Sequence, residues 1–278
     1  MRAEYKIYDP VSGLSARIAP DYGGMITHIT MQGKELLYLN ETLLECAPIN
    51  AGGIPILFPF SGKTKDDAYM LEGKKYYMPR HGLVKNKSFA VERYENNRII
   101  LWTENERAAK SRNYPYDFQL KLIYEVKGNI LGMQMEITNF SEREMPHYLG
   151  WHPYFRISKR SNAYFKHHMN VHYDHVNIRD DKVQQEIDLV KDLDDVYCLP
   201  DKNEFIFGDK KEGYEVKCAT DKAYQTLVVF NEKEGSICVE PWCGIPDSIN
   251  LNRMVKYIQP GETVSYPLTM EINFTSFI

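Results

Sequence analysis

Glu240 lies in the run Ser236-Ile237-Cys238-Val239-Glu240-Pro241-Trp242, a setting in which a carboxylate can serve as a general base. The β-branched Ile237 and Val239 alternate with Ser236, Cys238 and Glu240, so the run reads as a strand with Glu240 opposite the apolar pair. Pro241 has no N–H for a sheet ladder, which predicts a stop or bulge just after the carboxylate. Apolar neighbours and Trp242 partly desolvate the carboxyl, and desolvation raises its pKa toward the range useful for proton transfer.

His152 is the natural partner for such a base. It sits in Pro146-His147-Tyr148-Leu149-Gly150-Trp151-His152-Pro153-Tyr154-Phe155, again followed by a proline. Two strands that each end in an acid/base residue and then a proline predict a cleft at one rim of a sheet. In an extended chain His147 and His152 face opposite ways, because their separation is odd, so His147 is expected elsewhere. Taken alone, His152 would more often be a hydrogen-bonded core histidine. Its company favours function. Arg80-His81-Gly82 is a tight turn offering a guanidinium and an imidazole to hydroxyls or an anion, though as an isolated motif it is only a loop.

Other clusters carry less. His167, His168, His172 and His175 have a spacing that a metal could use, but no HExxH is present and the surroundings read as an exposed connection. Lys191-Asp192-Leu193-Asp194-Asp195 reads as a solvated turn. There is no Gly-x-Ser-x-Gly elbow, and Cys243 has no histidine partner nearby in sequence. Glycoside cleavage needs paired carboxylates, and only Glu240 has a persuasive setting. The glycines of Ala51–Lys63 lack P-loop spacing, which argues against nucleotide binding.

Strands must position these groups. Phe118, Leu120, Leu122, Tyr124 and Val126 alternate with polar residues; Lys127-Gly128-Asn129 turns, and Leu131, Met133, Met135 and Ile137 alternate back. Val264 to Phe274 repeats the pattern after Pro260-Gly261. Shorter strands are expected at 5–8, 15–18, 26–31, 88–94, 98–103 and 226–230. The 20 tyrosines and 12 phenylalanines favour sheet. The one expected helix spans 104–112, ended by Pro115. Neither a repeat nor a linker breaks the chain, so residues 1–278 are expected to form a single all-β domain, a large antiparallel sandwich.

Composition narrows the function. With 43% hydrophobic and 26% charged residues the chain is a folded, water-soluble type. A net charge of −4 without a basic run argues against nucleic acid as partner. No apolar run reaches the roughly 18 residues of a membrane span, and the first residues lack the apolar core of a secretory signal. The five cysteines are scattered and odd in number, as expected of reduced thiols in a cytoplasmic protein.

Four segments, in order, resemble the aldose 1-epimerase (galactose mutarotase-like) family, nearest to its bacterial epimerase-related branch. They are Gly53-Ile54-Pro55-Ile56-Leu57-Phe58-Pro59, Arg80-His81-Gly82, Gly150-Trp151-His152-Pro153-Tyr154-Phe155 and Glu240-Pro241-Trp242-Cys243-Gly244-Ile245-Pro246-Asp247. The resemblance implies a β-sandwich of the galactose mutarotase type that interconverts the α and β anomers of an aldose, without metal or other cofactor. By motif, Glu240 is the general base, His152 the general acid, and His81 a contact near the ring oxygen. Trp242 and Arg80 are expected at the sugar. Lys63 stands where relatives often carry a clamping arginine, and Asp195 (or Asp194) is the candidate for the sugar-binding aspartate. The ligand is then a small sugar or, if Lys63, Arg80, Lys85 and Lys87 hold a phosphate, a hexose 6-phosphate. A non-catalytic sugar binder on the same scaffold is the other class.

Overall fold

A computed structural model describes residues 3–105, 113–183 and 186–274, and antiparallel strands dominate it. The longest sheet runs, strand by strand, through Ile56–Leu57, Gly150–Trp151, Ser236–Trp242, Thr226–Phe230, Asp194–Asp209, Tyr214–Thr220, Thr263–Phe274, Ile130–Asn139, Phe118–Lys127, Arg98–Asn105 and Ala90–Tyr94. A second sheet orders Tyr5–Tyr8, Ser15–Ala19, Met25–Met31 and Lys34–Glu35 in sequence.

The central hairpin forms as its alternation requires. Phe118 to Val126 and Leu131 to Ile137 put their even-spaced apolar side chains in the core, and Lys127 pairs with Ile130 around a two-residue turn. Gly128 takes φ +59° there, the left-handed first position that glycine tolerates in such hairpins.

The long sheet folds its two halves over one core, giving the sandwich. Phe58 meets Phe118 edge-on with centroids 5.0 Å apart, and Trp151 lies 6.1 Å from Tyr124. Trp151 Nε1 donates to the Tyr224 hydroxyl at 2.9 Å, so the buried indole N–H is satisfied. His147 is buried in this core and shares a 2.6 Å hydrogen bond with the Tyr266 hydroxyl, away from His152, as the odd spacing predicts.

Four local expectations need correction. The strand holding Glu240 does not stop before Pro241; it continues to Trp242, with Pro241 paired to Leu227. The histidine cluster is not a loop. His167, His168 and His172 belong to the strand Ala163–Asp174, which pairs with Asp194–Asp209. The charged run 191–195 likewise ends by opening that second strand rather than in a turn. Of the helix expected at 104–112, Glu104 and Asn105 finish a strand, and the rest lies outside the described residues. Among the described residues no helix is long and apolar enough to cross a membrane.

Candidate active site

Sheet register brings His152 and Glu240 together. Gly150 pairs with Trp242 and Tyr154 pairs with Cys238, so the same register sets His152 across from Glu240. Between those two short pairings the ladder is interrupted at His152 and Pro153, which is where a proline without an N–H costs no sheet bond. The His152 amide turns the other way and donates to the Pro55 carbonyl at 3.0 Å. The Gly- and Pro-rich segment thus anchors the backbone beneath the imidazole.

The side chains meet. His152 Nε2 is 3.3 Å from Glu240 Oε1, with the two side chains only 7% and 2% exposed. Trp242 Nε1 donates to the other carboxylate oxygen, Oε2, at 3.2 Å. Tyr154 stacks on His152 with centroids 4.6 Å apart and planes within 10°. His81 closes the group, 5.4 Å from His152 and 5.9 Å from Trp242.

Glycines make room for Trp242. A Cβ on Gly150 would fall 2.4 Å from Trp242 Cδ1, and one on Gly62 would fall 3.0 Å from Cζ3. The indole therefore lies in a slot between two residues without side chains. His81 holds φ +66°, an uncommon conformation for a residue with a side chain, and its amide donates to the Gly62 carbonyl at 2.7 Å. The Gly62 N–H faces His81 Nδ1 at 3.2 Å, and Arg80 Nε–H faces Nε2 at 3.1 Å. A neutral imidazole has one acceptor nitrogen, so the two contacts are alternatives and the tautomer follows whichever donor stays.

Burial sets the charge state. It pushes the Glu240 carboxyl well above its usual range, against the pull of Arg80 and the Trp242 N–H. It pushes His152 down to about 3, with Arg80 and Lys233 adding to the effect. His81 is also driven well below the ordinary histidine value, by burial first and then by His152, Arg80 and Lys85. Burial therefore favours the uncharged form of the pair, a carboxylic acid beside a neutral imidazole, with one titratable proton between them. Carboxylate with imidazolium, the form expected from sequence, differs only by where that proton sits.

These groups line a cavity of about 430 Å³, within the roughly 300–1,000 Å³ typical of small-molecule sites. Its wall includes Arg80, His81, His152, Glu240 and Trp242, all named from sequence. Lys63 does not join them. Gly62 turns the chain with φ +77°, and Lys63 is exposed outside the lining. Asp195 faces a different cavity and sits 3.0 Å from His172 Nε2. The aspartate in the cleft wall is Asp194. Strand parity explains the swap: Asp194 pairs with Phe230, which pairs with Cys238 on the cleft side, whereas Asp195 pairs with Val229, a core residue. Lys87 points its ammonium at the Glu104 carbonyl, 3.2 Å away. Lys85 lines the cavity, as does Lys233, whose ammonium lies 5.0 Å over the Tyr154 ring.

Tyr154, Phe230 and Lys233 also line the cavity and are not among the residues expected from sequence. Tyr154 was within reach, since it follows His152 by two in an extended run. Phe230 and Lys233 depend on long-range pairing and on a loop, which local patterning does not reveal.

Fold and site together define a protein of the galactose mutarotase type. The sequence matches the aldose 1-epimerase family over residues 5–271, and the chain belongs to that family. Its fold is similar to that of the Slr1438 protein from Synechocystis sp. PCC 6803, with a TM-score of 0.91 at 24% identity, covering 99% of this chain and 96% of the other. The galactose mutarotase related enzyme from Lactobacillus acidophilus is also similar, with a TM-score of 0.83 at 22% identity and 99% coverage of both chains. At these identities the likeness establishes the fold alone. Among curated proteins, chromosomal LacX of Lactococcus lactis subsp. lactis is 30% identical over 110 residues, 37% of this chain and 36% of that protein. The chain thus spans little more than a third of the length of the curated relatives it matches.

Proposed function

We propose that the chain acts as one domain that interconverts the α and β anomers of an aldose, with Glu240 as general base and His152 as general acid. The observation that carries this reading is the 3.3 Å approach of His152 Nε2 to Glu240 Oε1 in the wall of a sugar-sized cavity. Anomer exchange moves protons on two oxygens of one carbon, the anomeric hydroxyl and the ring oxygen. Two such oxygens are close together, so the catalytic groups must be adjacent as well.

Ring opening removes the proton from the anomeric hydroxyl and delivers one to the ring oxygen; the ring C–O bond breaks and an aldehyde forms. Rotation about the neighbouring C–C bond and closure on the other carbonyl face reverse both transfers. A pair that holds one proton in total can take one and give one in the same step, and it ends each cycle in its starting state. The Trp242 N–H favours the carboxylate form of Glu240 as it becomes the base. In this reading His81 and Arg80, beside the pair, orient the sugar. The atom facing Glu240 Oε1 is an imidazole nitrogen, which suits this chemistry.

The cations Arg80, Lys85 and Lys233 share the cavity wall, which supports a second reading in which the aldose carries a phosphate. Two-dimensional NMR exchange between anomers, run on glucose, galactose and their 6-phosphates, tests both. Exchange above the buffer rate supports anomer interconversion, and a preference for the phosphorylated sugar that fades with salt supports the second reading. Sugar binding without any acceleration would instead make the protein a binder.

A further inference from the structure

Cys238 has no part in these proton transfers, yet it lies buried beside both groups that do. A ring nitrogen of His152, the Cys238 sulfur and a carboxylate oxygen of Glu240 all lie within 4.8 Å of one another, and all three residues are buried. Cys238 and Glu240 are two apart on one strand and so point the same way, while His152 faces Glu240 from the next strand.

One nitrogen, one sulfur and one oxygen are donors that zinc accepts together. Zinc bonds of about 2.0–2.2 Å to nitrogen and oxygen, opened to a tetrahedral angle, set those atoms about 3.3–3.5 Å apart. The observed separation of His152 Nε2 and Glu240 Oε1 is 3.3 Å. A thiolate and a carboxylate balance a dication, with the neutral imidazole as third ligand, so the loaded site buries no net charge. Trp242 Nε1 holds the second carboxylate oxygen and fixes its orientation from outside the ligand set. The adjoining cavity has space for a water as fourth ligand.

We propose that His152, Cys238 and Glu240 form a Zn²⁺ site, and that metal bound there silences the acid–base pair. The binding claim stands independently; the silencing claim rests on the anomer-exchange reading. A metal on His152 and Glu240 occupies the lone pairs through which both groups move protons.

Cobalt(II) is the probe, titrated into the full chain. Wild-type protein is expected to give, at one equivalent, the visible bands of four-coordinate cobalt and a near-ultraviolet thiolate-to-cobalt band, both removed by Zn²⁺. Cys46 is the one exposed thiol among the described residues, so Cys46→Ser should keep the thiolate band. Cys238→Ser should lose it, with Cys238→Ala as a second variant free of a buried hydroxyl. Glu240→Gln should keep the band and bind at least about tenfold more weakly. A wild-type spectrum without the thiolate band, a band that survives both Cys238 variants, or one lost in Cys46→Ser overturns the site. With sugar, one equivalent of Zn²⁺ should slow exchange at least about tenfold, and a chelator should restore it. Exchange unaffected at full cobalt occupancy of the site overturns the silencing. If the metal-free protein shows no exchange, the anomer reading fails, and the cobalt spectrum still decides the site.

Discussion

His152 faces Glu240 across two antiparallel strands, in the register fixed by Gly150 with Trp242 on one side and Tyr154 with Cys238 on the other. The pair is thus a product of sheet pairing rather than of a loop, and the rigid sheet sets its 3.3 Å spacing. Pro153 and Pro241 flank it, one on each strand, where the ladder opens. The proposed acid/base pair sits at a gap in a sheet.

The pH dependence of kcat/KM should show a pair that works with one proton in total. A second proton is resisted down to about 3, the lowered value of His152, and loss of the only proton is delayed by the raised pKa of Glu240. Activity should therefore pass through pH 6.5 on the acid side without the inflection of an ordinary histidine. Rates of anomer exchange in non-reacting buffers across pH 4.5–8 are the check. An acid limb centred near 6.5 would contradict the buried, neutral imidazole.

Glu240→Gln should separate stability from activity. A carboxyl whose folded pKa is raised adds most to stability below its unfolded value, near 4.5, and that contribution is lost as pH rises toward the folded value. The glutamine variant does not titrate, so relative to wild type it should gain stability as pH goes from about 4.5 to 8. Urea midpoints at several pH values measure this. A constant difference across the range would mean the carboxyl is not held protonated.

His147 should contribute to acid sensitivity, beside His152 and His81, without touching activity at neutral pH. Burial lowers it to about 3, whereas in the unfolded chain it protonates near 6.5. In that window the unfolded state binds the extra proton, so stability falls as pH drops, by up to about 1.4 kcal/mol per unit for this group. His147→Gln should flatten the fall. An unchanged slope between pH 6 and 4 would assign the sensitivity to other groups.

Gly150→Ala tests the slot that holds Trp242. The added methyl would meet the indole at 2.4 Å, so the ring must shift and its N–H must leave Glu240. The expected cost is about 1–3 kcal/mol in stability, with anomer exchange reduced about tenfold or more. Thermal melts and exchange rates report both. Wild-type values in both would show that Trp242 does not need its present seat.

How much of this was legible in the sequence depends on the range of the cause. Strict alternation reveals Phe118–Lys127 and Ile130–Asn139 because period two is local. Glu240, His152, His81, Arg80 and Trp242 were legible from residue type, flanking prolines and the family motifs, and all five line one cavity. The choice between Asp194 and Asp195 is not legible locally, because they point to opposite faces and only pairing with Phe230 and Val229 decides which one reaches the cleft. That Lys63 stays out of the cavity wall is not legible either, because the left-handed turn at Gly62, not the spacing, decides where the next side chain goes.

That parity argument makes its own prediction. Asp194→Asn should raise KM for the sugar several-fold with little change in kcat, as expected of a wall residue that binds ground and transition states alike. Asp195→Asn, which removes a contact to His172, should leave both within about twofold. The reverse ranking in steady-state kinetics would return the role to Asp195.

The central claim is that Glu240 and His152 act as one unit on a hemiacetal. Anomer exchange rates for wild type, Glu240→Gln, His152→Asn and the double variant test it most directly. Each single variant should lose about 10²–10⁴-fold, and the double variant should be little worse than the poorer single one. Variants that exchange anomers as fast as the wild type would contradict it.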